Sequence, residues 1–305
     1  MHDDPSTSLV APDTLRSKVR ENIPGFVAGI ATGLTKLVVG HPFDTIKVRL
    51  QTEGPKGRFQ GPVHCIRATI SKEGFFALYK GSTPPLVGWA ITDAIQAGTY
   101  TNTKNYLMKE FQLDPSKNYS VHAISGLAAG WASSITSTPM EQIKARLQVQ
   151  YDGASRRYTG PIDCVKQLVH QRGFFKGLWG GFSASLLLRS HFAILWPTYQ
   201  YTSRVLESWE VPHFASAIPF FAGGTAATLF WAVGFPSDVV KNRIMSQPIG
   251  PGPLQYPSVV ATFKIIYQQG GLRGFYRGFL PAILRSFPTN GAALLVYEKV
   301  ISYFS

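Results

Sequence analysis

Formal charge is scarce in this chain: Asp, Glu, Lys and Arg together make up only 15% of 305 residues. A soluble array of helical repeats needs charged outer faces, and this composition does not supply them. Residues 119–140 and 218–237 contain none of the four charged types, and residues 24–41 contain only Lys36. Runs of this kind suit a hydrocarbon core of roughly 30 Å. Cysteine is nearly absent as well. Cys65 and Cys164 are the only two, which excludes a disulfide framework. Each follows a proline by three residues (Pro62, Pro161), so they occupy matching places and need not meet. No nucleophile–base set, metal-ligand spacing or phosphate loop is present, and catalysis has no support. The opening Met1-His2-Asp3-Asp4 lacks the Arg-rich amphipathic pattern of a transit peptide, so no cleaved presequence is expected.

Acids are the scarcer charge, 17 against 30 bases, for a formal net charge of +13. The bases are spread over matching positions rather than clustered, which argues against nucleic acid. Two readings remain, basic loops at an anionic membrane surface and a basic cavity for anions.

What the chain does have is one phrase written three times. It runs Pro42-Phe-Asp44-Thr-Ile-Lys47-Val-Arg49, then Pro139-Met-Glu141-Gln-Ile-Lys144-Ala-Arg146, then Pro236-Ser-Asp238-Val-Val-Lys241-Asn-Arg243. The three prolines are equally spaced, 97 residues apart, which makes the chain three copies of one unit. After a tail at 1–21, the repeats are 22–112, 113–211 and 212–305. Each is expected to hold two long helices with a short surface helix between them. The long helices are read at 23–51 and 82–111, 119–150 and 182–209, and 214–246 and 279–304. The short ones are read at 62–72, 161–171 and 257–269. Within the second long segments, residues 81–100, 182–201 and 278–297 are mostly apolar with one strong charge each, Asp93, Arg189 and Arg285, as for a helix with lipid on one side and water on the other. Small residues (Gly25, Gly29 and Gly33; Gly126 and Gly130; Gly223 and Gly224) let neighbouring backbones approach.

Proline removes a helical N–H and bends the helix. An acid and a base three residues apart share a helix face. The phrase therefore allows three local pairs on a solvated face, or a ring in which each acid reaches the base of another unit. A guanidinium at mid-bilayer depth is costly, so Arg189 and Arg285 are expected to be functional, and their fork suits a carboxylate. Lys36 either adds charge to a cavity or snorkels to an edge.

The repeated phrase resembles the signature of the mitochondrial carrier family, over nearly the whole chain. His41–Gln51 and Pro84-Pro85-Leu-Val-Gly-Trp89 are similar to the branch of carnitine/acylcarnitine and basic amino-acid carriers and their fungal relatives. The resemblance implies an all-α membrane protein: six transmembrane helices with pseudo-threefold symmetry and short matrix-side helices, in the inner mitochondrial membrane. It implies a matrix gate pairing Asp44 with Lys144, Glu141 with Lys241 and Asp238 with Lys47, below Pro42, Pro139 and Pro236 and braced by Gln51 and Gln148. Met245 interrupts that bracing pattern in the third unit. At the opposite gate, near Tyr100, Tyr201 and Tyr297, only Glu298 and Lys104 remain as an acid and a base in register.

Twelve residues before these tyrosines stand Gly88, Arg189 and Arg285, where the family places substrate contacts; Trp89, Thr92, Asp93, Ser190 and His191 lie beside them. Family relatives often carry an acid where Ser190 stands. Unit two also has one extra residue between Trp179 and Arg189, so its second long helix is expected to start differently. The aromatic–glycine helix starts at Gly61, Gly81, Gly160, Gly181 and Gly278 suit lipid phosphate, which in this family is cardiolipin. No other cofactor is implied. The implied function is alternating-access carriage, by a monomer, of a small carboxylate-bearing metabolite (amino acid, keto acid or carnitine ester), with a possible counter-substrate. A nucleotide or coenzyme carrier and a non-transporting adaptor of the same fold are the alternatives.

Overall fold

The structure, a computed structural model, describes residues 12–53, 57–114, 118–151, 157–209, 217–248 and 253–304, and the regular elements among them are all helical. They are α1 (Pro12–Glu53), α2 (Pro62–Glu73), α3 (Thr83–Glu110), α4 (Tyr119–Val149), α5 (Pro161–Arg172), α6 (Phe174–Leu178), α7 (Phe182–Ser190), α8 (Phe192–Glu207), α9 (Ile218–Ser246), α10 (Val259–Phe275) and α11 (Phe279–Phe304), with a 3₁₀ turn at Phe75–Tyr79. The chain divides into two compact units, Pro42–Ile283 and the paired segments Met1–His41 and Leu284–Ser305.

Within Pro42–Ile283, α3 lies along α4, α4 packs on α7 and α8, and both of these pack on α9. The repeat is visible in the packing of the short helices. Ile46, Leu50, Phe59, Cys65 and Leu78 form one buried cluster, and Ile143, Leu147, Tyr158, Cys164 and Leu178 form its counterpart. Val240, Ile244, Tyr256 and Phe275 belong to the third. The two cysteines are buried and unbonded to one another, in matching clusters. Burial pushes the Cys65 thiol up to about 12 and the Cys164 thiol up to about 11, which leaves both inert at neutral pH.

The long helices are inside out compared with those of a soluble protein. Along α4 the buried positions include Ser125, Ser133, Ser134 and Ser137, whereas Ile124, Trp131 and Ile135 are exposed. Along α9 Phe220, Phe221, Leu229 and Val233 are exposed. Among the described residues α9 is long and apolar enough to cross a membrane.

Four features differ from the sequence expectation. Helix α1 begins eleven residues before position 23, because residues 12–22 are polar but good helix formers behind a proline at the first turn. The second long helix of repeat two is broken between α7 and α8, not continuous over 182–209. The break falls at His191, whose N–H bonds back three residues to Leu188 at 3.2 Å. The short helices stop at Gly74 (φ 83°), Gly173 (φ 76°) and Gly271 (φ 56°), a left-handed step that only glycine takes without strain. Gly271 lies inside α10 and divides it. Of the glycine pairs, Gly126 and Gly130 are the tight ones: a Cβ there would stand 2.5 Å from the Phe192 and Arg189 carbonyl oxygens. Gly29, Gly33, Gly223 and Gly224 have nothing within 4 Å of such a Cβ among the described residues.

Candidate functional site: an ion-pair ring and an adjoining arginine

Where α1, α4 and α9 pass Pro42, Pro139 and Pro236, six side chains meet in three ion pairs. Lys144 Nζ donates to Asp44 at 2.7 Å, Lys241 Nζ to Glu141 at 2.8 Å, and Lys47 Nζ to Asp238 at 2.8 Å. These contacts join α1 to α4, α4 to α9 and α9 to α1, so the pairing is cyclic. The local partner three residues away is the weaker option at the one place where both distances compete: Lys241 is 3.6 Å from Asp238. Both side chains of the Lys47–Asp238 pair are at most 10% exposed. Desolvation on that scale offsets much of the attraction.

The glutamines differ in role. Gln51 donates to Asp238 at 2.8 Å and accepts from Asn242 at 2.6 Å. Gln148 donates to Thr45 Oγ1 at 3.2 Å, next to Asp44. Where Met245 interrupts the pattern, Gln142 ties α4 to the start of α7, donating to the Gly177 carbonyl and accepting from the Gly181 N–H at 3.2 Å. Lys47 also stands 4.1 Å above the Trp231 ring, and Lys144 is 5.9 Å from Trp89.

Arg189 is tied to this ring. Its two terminal nitrogens donate to Glu141 at 2.8 Å and to Ser133 Oγ at 3.0 Å. Glu141 thus holds Arg189 on one oxygen and Lys241 on the other. The acid on Arg189 is Glu141, and Asp93 is exposed. Ser190 accepts from Trp131 Nε1 at 2.9 Å, His191 Nδ1 is 3.0 Å from the Leu188 carbonyl, and Thr92 is 3.4 Å from Thr136. Arg285 and Lys36 belong to the other unit. There Arg285 packs against Gly40, where a Cβ would come 2.8 Å from Nε, and Lys36 is exposed.

Tyr100 bonds His122 Nδ1 at 2.6 Å and stacks on Trp196 at 4.1 Å, and Tyr201 meets Tyr119 edge-on. Lys104 is half-buried; the side chains of Tyr297 and Glu298 lie outside the described residues. Gly81 and Gly278 open their helices at φ 77° and 87°. A Cβ on them would meet the Lys144 and Lys47 carbonyls at 2.9 and 3.0 Å. Gly181, at φ −104°, meets only the Met245 side chain so closely. Gly61 and Gly160 are extended N-caps of α2 and α5.

Sequence reasoning missed the arginine that ends each phrase. Arg49, fully buried, makes a bidentate pair with Glu73 at 2.5 and 3.0 Å, and Lys80 adds 2.6 Å to the same carboxylate. Burial raises the Glu73 pKa, but the two cations outweigh it and hold the group below the usual carboxylate range. The regular Lys-x-Arg spacing was the available signal. Trp131, Ser133 and Trp231 carried none, since nothing in a single sequence marks which tryptophan or serine faces the ring.

The family model described as "Mitochondrial carrier protein" matches three stretches, residues 19–111, 115–208 and 213–305. The chain is 42% identical over 290 residues to "Mitochondrial substrate carrier family protein L" of Dictyostelium discoideum, covering 94% of this chain and 98% of that protein. It is 34% identical over 280 residues to "Mitochondrial basic amino acids transporter" of Bos taurus, covering 91% of each. To "Carrier protein YMC2, mitochondrial" of Saccharomyces cerevisiae it is 32% identical, over 90% of this chain and 87% of that one.

Proposed function

The chain belongs to the mitochondrial carrier family, and on that premise we propose that it carries a small carboxylate-bearing metabolite across the inner mitochondrial membrane by alternating access. The three repeats then form six membrane-spanning helices, with α7 and α8 as the two halves of the fourth. Cardiolipin binds at the helix starts marked by Gly61, Gly81, Gly160, Gly181 and Gly278.

One observation carries the reading: Arg189 is a fourth base on a ring with three acids. Asp44, Glu141 and Asp238 balance Lys47, Lys144 and Lys241, so Arg189 leaves one positive charge over within the set. A solute carboxylate supplies the missing charge, and the guanidinium fork suits it bidentately. When the solute takes Arg189, Glu141 loses one of its two cations and is held by Lys241 alone. The ring is then freer to part, because buried pairs whose desolvation nearly cancels their attraction separate at little net cost. Thr92, Trp89 and Ser190 are the polar and aromatic surroundings of the solute. Asp93, exposed on α3, offers a contact for a cationic group, which makes basic amino acids, amino acids generally and carnitine esters the first solutes to test.

Liposomes containing the pure protein should take up a labelled carboxylate of this panel above the protein-free background. The matching amide or decarboxylated amine should not enter. Equal uptake of a solute with and without its carboxylate would refute the reading.

A further inference from the structure

Arg189 stands in the last turn of a helix that goes no further. Helix α7 is nine residues long and closes on Ser190, because the chain breaks at His191 before α8 begins. The final turn of a helix lacks the ladder bonds that a following turn would add, so the direction of the Arg189 side chain depends on what holds that turn from the side. Three points on α4 do so. At Gly130 the two helices lie so close that a Cβ would strike the Arg189 carbonyl. Ser133 Oγ accepts from the guanidinium at 3.0 Å. Between these two in the chain, Trp131 donates its indole N–H to Ser190 Oγ at 2.9 Å.

A hydroxyl has one proton and two lone pairs. The Ser190 proton goes to the Leu186 carbonyl at 2.8 Å, one turn back along α7, so toward Trp131 the oxygen is an acceptor. One side chain thus joins the last turn of α7 both to its own preceding turn and to α4. Trp131 is 49% exposed and shares a stripe of α4 with the exposed Ile124 and Ile135, the face that a membrane-spanning α4 turns to lipid. Hydrocarbon offers an indole N–H no partner, and the bond to Ser190 satisfies it. We propose that Trp131 is a positioning residue of the solute site. Acting through Ser190, it holds the last turn of α7 against α4, so that the Arg189 fork lies where Glu141 and a solute carboxylate can each take it. This role rests on Arg189 being the solute's anchor, as proposed above; Trp131 itself touches no solute. It also defines what Ser190 offers. With its proton committed to Leu186, the hydroxyl keeps one lone pair for a solute and does not donate to a carboxylate, which leaves that recognition to Arg189.

Two measurements test this, and the first needs no transport. Thermal unfolding of the full chain in a non-ionic detergent, for wild type, Trp131→Phe, Arg189→Ala and the double variant, closes a cycle. Arg189→Ala should change the midpoint less in the Trp131→Phe background than in wild type, because there the guanidinium has already left Glu141. Midpoint changes that simply add overturn the proposal. Ser190→Ala takes the place of Trp131→Phe in the same cycle if that variant does not fold. The second measurement is uptake into liposomes of a carboxylate that the wild type carries. Trp131→Phe and Ser190→Ala should each raise KM roughly three- to tenfold, as for one lost hydrogen bond, with the maximal rate nearly unchanged. The double variant should be no worse than either alone. A lower maximal rate at constant KM is the mark of a merely structural role and overturns the proposal, as do KM effects that multiply in the double variant. If the wild type carries no carboxylate, the proposed function fails, and the unfolding cycle decides by itself: non-additive midpoints uphold the role of Trp131, and additive ones remove it.

Discussion

Glu141 offers one carboxylate oxygen to Arg189 and the other to Lys241, so the residue proposed to meet the solute and a residue of the ring answer to the same acid. Glu141→Gln should lower the thermal midpoint, because two partly buried cations lose their counter-charge at once; an unchanged midpoint would show that neither bond matters. A cleaner stability test lies outside the ring. Glu73→Gln leaves the fully buried Arg49 without an acid, and loss of one partner of a buried pair costs about 3–5 kcal/mol, measurable by chemical denaturation. The Glu73 pKa is depressed in the folded state. Its contribution is thus fully present above the unfolded value of about 4.3 and fades as pH falls through the lower folded value. The variant should lack that part of the acid dependence. The acids and bases of the ring were legible because they recur in register at Pro42, Pro139 and Pro236. Their lateral partners were not. Asn242, four residues after Asp238, follows a helical spacing that could have been read, whereas Ser133 reaches Arg189 only because α4 and α7 pack closely at Gly130.

Helices carry the repeat less evenly than the phrase does. The start of α3 and the start of α11 use glycines of positive φ that press on the backbone of a neighbouring repeat, and the start of α7 does not. Gly81→Ala and Gly278→Ala should therefore lower the midpoint on two counts, φ strain and contact with a carbonyl, each by an amount of about 1–3 kcal/mol. Gly181→Ala meets only the flexible Met245 side chain and should cost less, a ranking that thermal unfolding of the three variants checks directly. Long apolar segments and their order were readable from charge-free runs. The break at His191 left no trace in the spacing, because the one extra residue of repeat two falls between Trp179 and Arg189, before the break. The left-handed stops at Gly74, Gly173 and Gly271 were overlooked: a glycine after a short polar helix reads the same as a glycine in any loop.

For the molecule as a whole, the three ion pairs are all made in this structure, and the proposed function requires a second form in which they are broken. Pairs worth only about 1 kcal/mol each after desolvation set a balance that one substitution can move. With Ser190→Cys as a reporter, Asp44→Asn should increase thiol labelling from the matrix side, where the intact ring is proposed to protect the site. Labelling unaltered by Asp44→Asn would remove the ring as a gate. The native thiols will not confuse the readout, since both are buried and their pKa values raised.

The central claim is that a solute carboxylate is carried by way of Arg189. Uptake of a transported carboxylate into liposomes, by wild type and Arg189→Ala in parallel, tests it most directly, with thermal unfolding to show that both are folded. The account predicts that uptake falls to the protein-free background in the variant while a cooperative unfolding transition remains. Uptake by folded Arg189→Ala at the wild-type rate would contradict it.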